Sequence, residues 1–536
     1  MLQKIATNPR VHLFGIIVVL FGFVIALVAQ WQGSASIAET DSVSYIVGGV
    51  NLITIGHFIN PFGFFEDWFP PVYPLLIGAV SFGGQLDTVL VGRLISVAMG
   101  LITVVLVWYC VRSRDRMLPM MALASAICLA CNSLHQGLSS SVVSNPTATC
   151  FVFAAIVLWL SLNDHPRALH VVRYAVIGLL FGLSSITRAE PMIFLPLLAL
   201  WDFVKRGFTA TVRQYLIAFA VMAAVLLPYA IYLHNVTGKW AISGKAEINI
   251  ADGRSEFYHI PLRFIDPNDL EMKYSAYPIS FSSEAHRYAD NILKIGKAYL
   301  DIYRLPLAFA LLLCALFGMR FLILRGQWRF LFGLLVPFAC LPVIGFFHVN
   351  HLFLHITLPS LSILIGIGLA YLVHQFPCRL SSAGIVQAVI LLAAVACLIE
   401  GGTREGRWTL ITSPDRPPRE TLLRDAGRNF TTLNLPQGSM YEMGATVGFY
   451  AKQMRRRITT DVDLPTLVHF MKHHESGPVY LALTTLATYN RSLQELLNTH
   501  QPPPPFEKVL ELADSRGKVV IFRMQVQDAL REASLK

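Results

Sequence analysis

Asp41 is the first side chain in this sequence suited to chemistry. It stands in Glu39-Thr40-Asp41-Ser42, at the start of a helical pattern running through Tyr45, Leu52 and Ile55. Asp41 and Tyr45 are four apart, so they share a helix face. Either Asp41 or Ser42 is placed to cap that helix, which is the plain reading of the carboxylate. The other reading is a base. A carboxylate among aromatic residues loses water and becomes more basic, and Phe58, Phe62, Phe64, Phe65, Trp68 and Phe69 follow closely. Glu66 and Asp67 form a second acidic pair, for which solvated loop positions are the default. Basic positions offer the complementary chemistry. Arg188 stands two residues before Glu190, fit for a salt bridge or for a phosphate. Lys245 closes a Ser243-Gly244-Lys245 turn. His348, His351 and His355 cluster, and the last two share a face, fit for metal, phosphate or interfacial hydrogen bonds. Cys128 and Cys131 sit in an apolar stretch without partner ligands and read as hydrophobic filler. A divalent metal on Asp41 with Glu66 or Asp67 is compatible with the residue types. No ligand spacing demands it, so no metal or other cofactor is assigned.

The elements that must hold these residues are membrane helices. Of 536 residues, 54% are apolar and only 14% charged, against about 25% charged in ordinary globular chains. The mean hydropathy is +0.54. Such a chain cannot cover a water-facing surface, which excludes a soluble enzyme, a disordered chain and a secreted disulfide scaffold. Apolar runs long enough for a bilayer fall near 11–30, 88–111, 117–135, 144–163, 174–188, 190–204, 214–234, 303–319, 330–347, 352–373 and 384–400, about eleven in all. The runs 174–188 and 190–204 are short and read as broken or tilted. The net charge of +10 would suit nucleic acid if it were scattered, but it is grouped. Arg112, Arg114 and Arg116 share one loop, Arg167 and Arg173 another. Lys205, Arg206 and Arg213 share a third, Arg320, Arg325 and Arg329 a fourth, and Arg379 lies in the last. Segments 31–87, 136–143 and 348–351 carry no Lys or Arg. By the positive-inside rule the N-terminus is cytoplasmic, and 31–87, 235–302 and 401–536 face outward. Nucleic acid is thereby excluded as a partner.

The chain divides into a membrane part, 1–400, and a polar part, 401–536. In the latter, strand-like runs at 439–443, 479–483 and 519–523 alternate with helical patterns near 463–474 and 486–499, which predicts a small α/β domain. Arg455-Arg456-Arg457 reads as a solvated turn, and Pro502 to Pro505 as a stiff connection.

The stretch from Asp41 to Gly56, followed by Phe69-Pro70-Pro71-Val72-Tyr73-Pro74-Leu75-Leu76, resembles the first outward loop of the GT-C superfamily. These are glycosyltransferases that use sugars carried on polyprenyl phosphate, among them protein O-mannosyltransferases and aminoarabinose–lipid A transferases. Gly182 to Pro191 and the segments Leu227 to His234, Thr237 to Trp240 and Ser243 to Lys245 resemble further elements of that family. Gly448-Phe449-Tyr450 and Pro478 to Leu483 resemble the tail of bacterial members. The resemblance implies a polytopic helical GT-C-like fold with a small C-terminal α/β domain. It implies a transferase moving a sugar from a polyprenyl-phosphate donor to an envelope acceptor (lipid, glycan or protein), with inversion, on the outer side of the cytoplasmic membrane. Asp41 matches the family's catalytic acid. Arg188, Lys245 and His351 become candidates for the donor phosphate, and Tyr45, Tyr73 and Glu190 for the substrate groove. Two departures stand out. Many members have an acidic residue where this chain reads Ser144-Asn145-Pro146, and Arg-Tyr where it reads His351-Leu352-Phe353 ahead of Pro359. The rival readings are a transporter or flippase of lipid-linked sugars and an inactive scaffold. A transporter would place charge near the midplane and repeat itself, and this sequence does neither.

Overall fold

The computed structural model describes residues 9–33, 40–114, 119–164, 170–258, 263–265, 272–274, 280–303, 307–347, 349, 351–375, 419–442, 446–458, 462–475, 477–485, 491–514 and 517–524. The expected span 384–400, the prolines near 414–418 and His348 lie outside them.

The helices run α1 (Pro9–Gly33), α2 (Thr40–Thr54), α3 (Val72–Val80), α4 (Thr88–Arg112), α5 (Pro119–Ala130), α6 (Ser133–Ser140), α7 (Asn145–Leu160), α8 (His170–Ser185), α9 (Phe194–Arg206), α10 (Phe208–Thr237), α11 (Lys245–Tyr258), α12 (Phe281–Tyr303), α13 (Leu307–Leu324), α14 (Trp328–Leu335), α15 (Cys340–Ile344) and α16 (Leu358–Gln375). A short hairpin, β1 (Arg263–Ile265) with β2 (Met272–Tyr274), separates α11 from α12. Among the described residues, Thr88–Arg112, Thr211–Thr237 and Leu352–Leu372 are each long and apolar enough to cross a bilayer. Helices α5 and α6 are bent by 61° and make a broken fourth candidate. The remaining apolar helices are shorter. The two short runs read as broken or tilted are divided here by a 3₁₀ turn: α8 ends at Ser185, and Glu190–Ile193 precedes α9.

Phe21, Leu216, Leu293 and Phe309 are exposed on the outside of this bundle. Water does not tolerate so much apolar surface, whereas hydrocarbon does. The interior is close-packed around Phe23, Trp159, Tyr174, Phe181, Phe194 and Tyr215. One acid is buried within it. Asp202 accepts hydrogen bonds from Trp159 Nε1 at 3.0 Å and the Tyr215 hydroxyl at 2.9 Å. Arg206 and Arg329 approach the same oxygen at 3.8 and 3.9 Å. A buried charge persists only with such pairing. Among the described residues, Cys110, Cys150, Cys314 and Cys340 are free thiols.

Helices α2 and α3 pack backbone against backbone. A Cβ on Gly49 would strike the Pro74 carbonyl, and one on Gly78 the Gly49 carbonyl. Only glycine permits that approach, and it sets Tyr45 beside Tyr73 and Phe69 in a small aromatic core.

The C-terminal region forms a five-stranded mixed sheet in the order β4-β3-β5-β7-β6. Its elements are α17 (Arg419–Thr432), β3 (Ser439–Glu442), α18 (Thr446–Tyr450), β4 (Met454–Arg457), α19 (Leu464–His474), β5 (Val479–Thr484), α20 (Arg491–Asn498), β6 (Phe506–Asp514) and β7 (Gly517–Met524). Strands β4, β3 and β5 are parallel, and β7 is antiparallel to both β5 and β6. The two-residue period sends Tyr441, Leu481 and Phe522 to one face with Leu467 and Leu496. It sends Met440, Tyr480 and Ile521 to the other with Leu422 and Phe430. Both faces are covered, hence the nearly continuous apolar runs of β5 and β7. The basic run is not a solvated turn but strand β4. Arg456 pairs with Glu475 at 2.9 Å, and Arg455 Nε donates to the Pro61 carbonyl at 3.1 Å.

Candidate functional site

Asp41 lies in the first turn of α2, where a negative charge suits the helix dipole. Its Oδ2 accepts from Lys245 Nζ at 3.1 Å, with the two side chains 40% and 31% exposed. Asp41 is therefore paired with a base candidate's natural counterpart, a cation, and is open to solvent. Lys245 also stands 4.2 Å over the Phe69 ring, a cation–π contact that fixes its head. Gly244 makes this seating possible, since a Cβ there would strike the Asp67 carbonyl. The turn at 243–245 thus presses directly onto the segment after α2.

That segment, 57–69, is tightly tied. Glu66 N donates to the Phe58 carbonyl at 2.8 Å, and Asn60 N to the Phe64 carbonyl at 2.8 Å. Asn51 Nδ2 donates to the Ile59 carbonyl. The Tyr232 hydroxyl lies 3.0 and 2.9 Å from the carbonyls of Phe58 and Glu66. Glu66 is not a solvated loop residue. It is 2% exposed, and Oε1 accepts from the amides of Trp68 at 2.9 Å and Phe69 at 3.1 Å. Burial pushes its carboxyl up to about 7 against the pull of those amides.

A second cationic group stands on the other side of Tyr45. The Tyr45 hydroxyl is 3.2 Å from Ser144 Oγ, and Ser42 Oγ donates to the Val142 carbonyl at 3.0 Å. These bonds moor the start of α2 to the turn before α7. The next residue, Asn145, donates through Nδ2 to the Leu352 carbonyl at 2.8 Å. Its Oδ1 accepts from Arg188 Nη1 at 3.1 Å. Arg188 also bonds Glu190 at 2.8 Å and lies 5.0 Å over the Phe353 ring. The asparagine that departs from the family pattern is thus the neutral link between Arg188 and the 3₁₀ segment His351–Thr357.

Other expected positions fall elsewhere. Tyr73, a groove candidate, is fully buried, with its hydroxyl between the Gly92 carbonyl and Ser96. It supports Tyr45 from below. Tyr45 is itself buried, whereas Glu190 is partly open at 15%. His351 opens the 3₁₀ segment, and its side chain lies outside the described parts. His355 is turned inward. Nε2 lies 3.0 Å from His135 Nδ1, and Nδ1 lies 2.8 Å from Thr149 Oγ1. The sequence does not single out His135, which meets His355 here, and it marks Glu66 only as one of a solvated acidic pair. Their surroundings depend on chain segments that only the fold brings together. Among the described residues no three His, Cys, Asp or Glu side chains converge as a metal site.

The whole arrangement aligns with a solved bacterial structure. ArnT from Cupriavidus metallidurans bound to undecaprenyl phosphate matches with a TM-score of 0.57 and 12% identity, covering 95% of this chain and 97% of that one. This chain has the GT-C fold. The apo ArnT structure aligns equally, at TM-score 0.57 and 12% identity over 94% and 96% of the two chains. No family model matches the sequence, and no curated protein does. The GT-C fold thus stands on three-dimensional agreement across nearly the full length, at an identity too low to carry residue roles.

Proposed function

We propose that this protein is a membrane glycosyltransferase that moves a sugar from a polyprenyl-phosphate donor to an envelope acceptor on the outer face of the cytoplasmic membrane. The observation that carries the reading is the Asp41–Lys245 pair at 3.1 Å, set at the start of α2 in a fold shared with a protein solved with undecaprenyl phosphate. In this reading, residues 1–400 form the membrane part with about eleven spans. Residues 401–536 form an outward α/β domain, and the N-terminus is cytoplasmic.

The chemistry follows from the groups. The donor's phosphate draws Lys245 away from Asp41 and takes its charge, with Arg188 and His351 as further phosphate partners. The freed Asp41 carboxylate accepts the proton of the acceptor hydroxyl. The hydroxyl oxygen bonds to the anomeric carbon from the side opposite the phosphate. The carbon–oxygen bond to phosphate breaks, and its electron pair leaves on the phosphate, so the anomeric centre inverts. Donor binding and base activation are then one event, which keeps the base quiet until a donor is present. Glu190 contributes by orienting Arg188. The partners are the lipid-linked sugar, the acceptor and the bilayer. The test is transfer by purified protein from defined radiolabelled polyprenyl-phosphate sugars to membrane extract. Absence of transfer across the common hexose and pentose donors would sink the reading.

A further inference from the structure

Arg455 is a long way in sequence from the candidate site and belongs to a sheet that the chemistry above does not use. Its neighbours connect it to that site. Strand β4 lies at the sheet edge with Arg455 opposite Met440 of β3. There Arg455 Nε reaches out of the sheet to the Pro61 carbonyl at 3.1 Å, and its guanidinium lies 5.9 Å over the Phe449 ring. A charged donor is the strong kind of hydrogen bond, and here it is given to a loop backbone rather than to a carboxylate. Beside it, Glu442 is 3% exposed and accepts from the amides of Val447 at 3.0 Å and Gly448 at 2.8 Å. Those bonds hold α18 in place. Phe449 and Tyr450 at the end of α18 pack against the aromatic core that contains Tyr45, Phe62 and Phe69.

Segment 61–69 is therefore held from the C-terminal region twice, by one charged hydrogen bond at Pro61 and by the packing of Phe449 and Tyr450 on the aromatic core that includes Phe62 and Phe69. The grip continues inward. Glu66 holds the Phe69 amide at 3.1 Å, the Phe69 ring carries Lys245, and Lys245 holds Asp41. We infer that Arg455 is a positioning residue for sugar transfer: through Pro61 it fixes segment 61–69, and through Phe69 it fixes the Lys245–Asp41 pair. This inference rests on the transferase reading for its effect on turnover, and on the contacts alone for its effect on the segment. It makes the C-terminal sheet part of the catalytic framework rather than an appendage.

The experiment compares full-length wild type with Arg455→Ala, Arg455→Lys and, as a surface-charge control, Arg491→Ala. Hydrogen exchange of the peptide covering 58–69 is read alongside kcat and donor KM. Misplacement of reacting groups by a distant change costs up to about a hundredfold in rate. Arg455→Ala should therefore lose at least about tenfold in kcat, with donor KM within about twofold. Exchange of 58–69 should quicken while that of β5 and β7 stays as in wild type. Arg455→Lys, which keeps a charged donor within reach of Pro61, should restore both readouts in large part. If β5 and β7 also loosen in the alanine variant, Phe449→Ala is read in its place and should reproduce the rise in 58–69. Unchanged exchange at 58–69, or a kcat equal to wild type beside quickened exchange, would overturn the inference. Inert wild-type protein would instead remove the transferase reading, and the exchange result would still decide whether Arg455 holds the segment.

Discussion

Replacing Asp41 by Asn separates its two meanings. Asparagine keeps the size and still serves a helix N-terminus, but it takes no proton. The structural cost can be bounded. The Lys245 pair is about a third exposed on both sides, and pairs of that kind contribute about 0.2–1 kcal/mol. A charge in the first helical turn adds about 0.3–1 kcal/mol. Asp41→Asn should thus cost no more than about 2 kcal/mol of stability, a small change in detergent melting temperature. The chemical cost is larger. Loss of a general base removes at least about a hundredfold in kcat, equivalent to about 2.7 kcal/mol of barrier. The assay is single-turnover transfer from a saturating donor, run with Asp41→Asn, Lys245→Met and the double variant. Lys245→Met should raise donor KM or lower kcat by about tenfold to a hundredfold, the worth of one charged hydrogen bond. Since donor phosphate and Asp41 compete for the same ammonium, the two single effects should not add. Full turnover in Asp41→Asn would refute the reasoning, and strict additivity would refute the exchange of Lys245 between carboxylate and phosphate.

Further outcomes follow from the same geometry. Glu442 is pushed by burial from 4.5 to about 8, so the folded protein holds a proton that the unfolded chain has released. Its stabilising contribution is complete below about 4.5 and is lost as pH rises towards about 8, at up to about 1.4 kcal/mol per unit. Glu66 has the same sign up to about 7, so the Glu442→Gln variant should flatten thermal stability between about 7 and 8. A slope equal to wild type there would contradict it. Arg188→Met should leave Asn145 and Glu190 without their shared donor and raise donor KM by about tenfold or more, and wild-type kinetics would move the phosphate away from Arg188. Cysteines placed at the exposed positions Gln85 and Gln494 in a cysteine-free background should react with an impermeant maleimide in intact cells, and one at Ser113 should not. The reverse pattern would invert the membrane orientation and remove the outward chemistry.

Much of the helical fold was legible because lipid demands long apolar runs, and such runs are hard to miss. Ten of the eleven runs fall on helices of the structure, while 384–400 lies outside the described residues. Asp41 and Lys245 were each visible by type, but not as partners, because nothing local links residues 204 positions apart. Arg188 was visible, yet Asn145, which it bonds, stood only as a departure from a pattern. Glu66 looked solvated because burial of an acid depends on the aromatic residues folded over it, not on its neighbours in sequence. In the C-terminal region, β5 and β7 announced themselves by apolar runs buried on both faces. Strand β4 did not, since Met454 to Arg457 carries three arginines whose partners, Pro61 and Glu475 among them, come from distant segments. Strand β6 escaped for a related reason: it is the outer strand, only its first residue is fully buried, and its apolar content is diluted by charge.

Asp202 imposes an order on the making of this protein. Its carboxylate is made on α9 after Trp159 and Tyr174, Arg206 follows one turn later on the same helix, Tyr215 comes on α10 and Arg329 only on α14. Until Tyr215 arrives, the acid lacks its shortest hydrogen bond, and until Arg329 arrives it lacks its second cation. The packing of α7 to α10 around this acid is therefore complete only once a segment made much later has joined it. A chain halted before α14 would keep Arg206 as the one cation beside this acid and lack Arg329, so a late helix completes the pairing at the centre of the first half of the bundle.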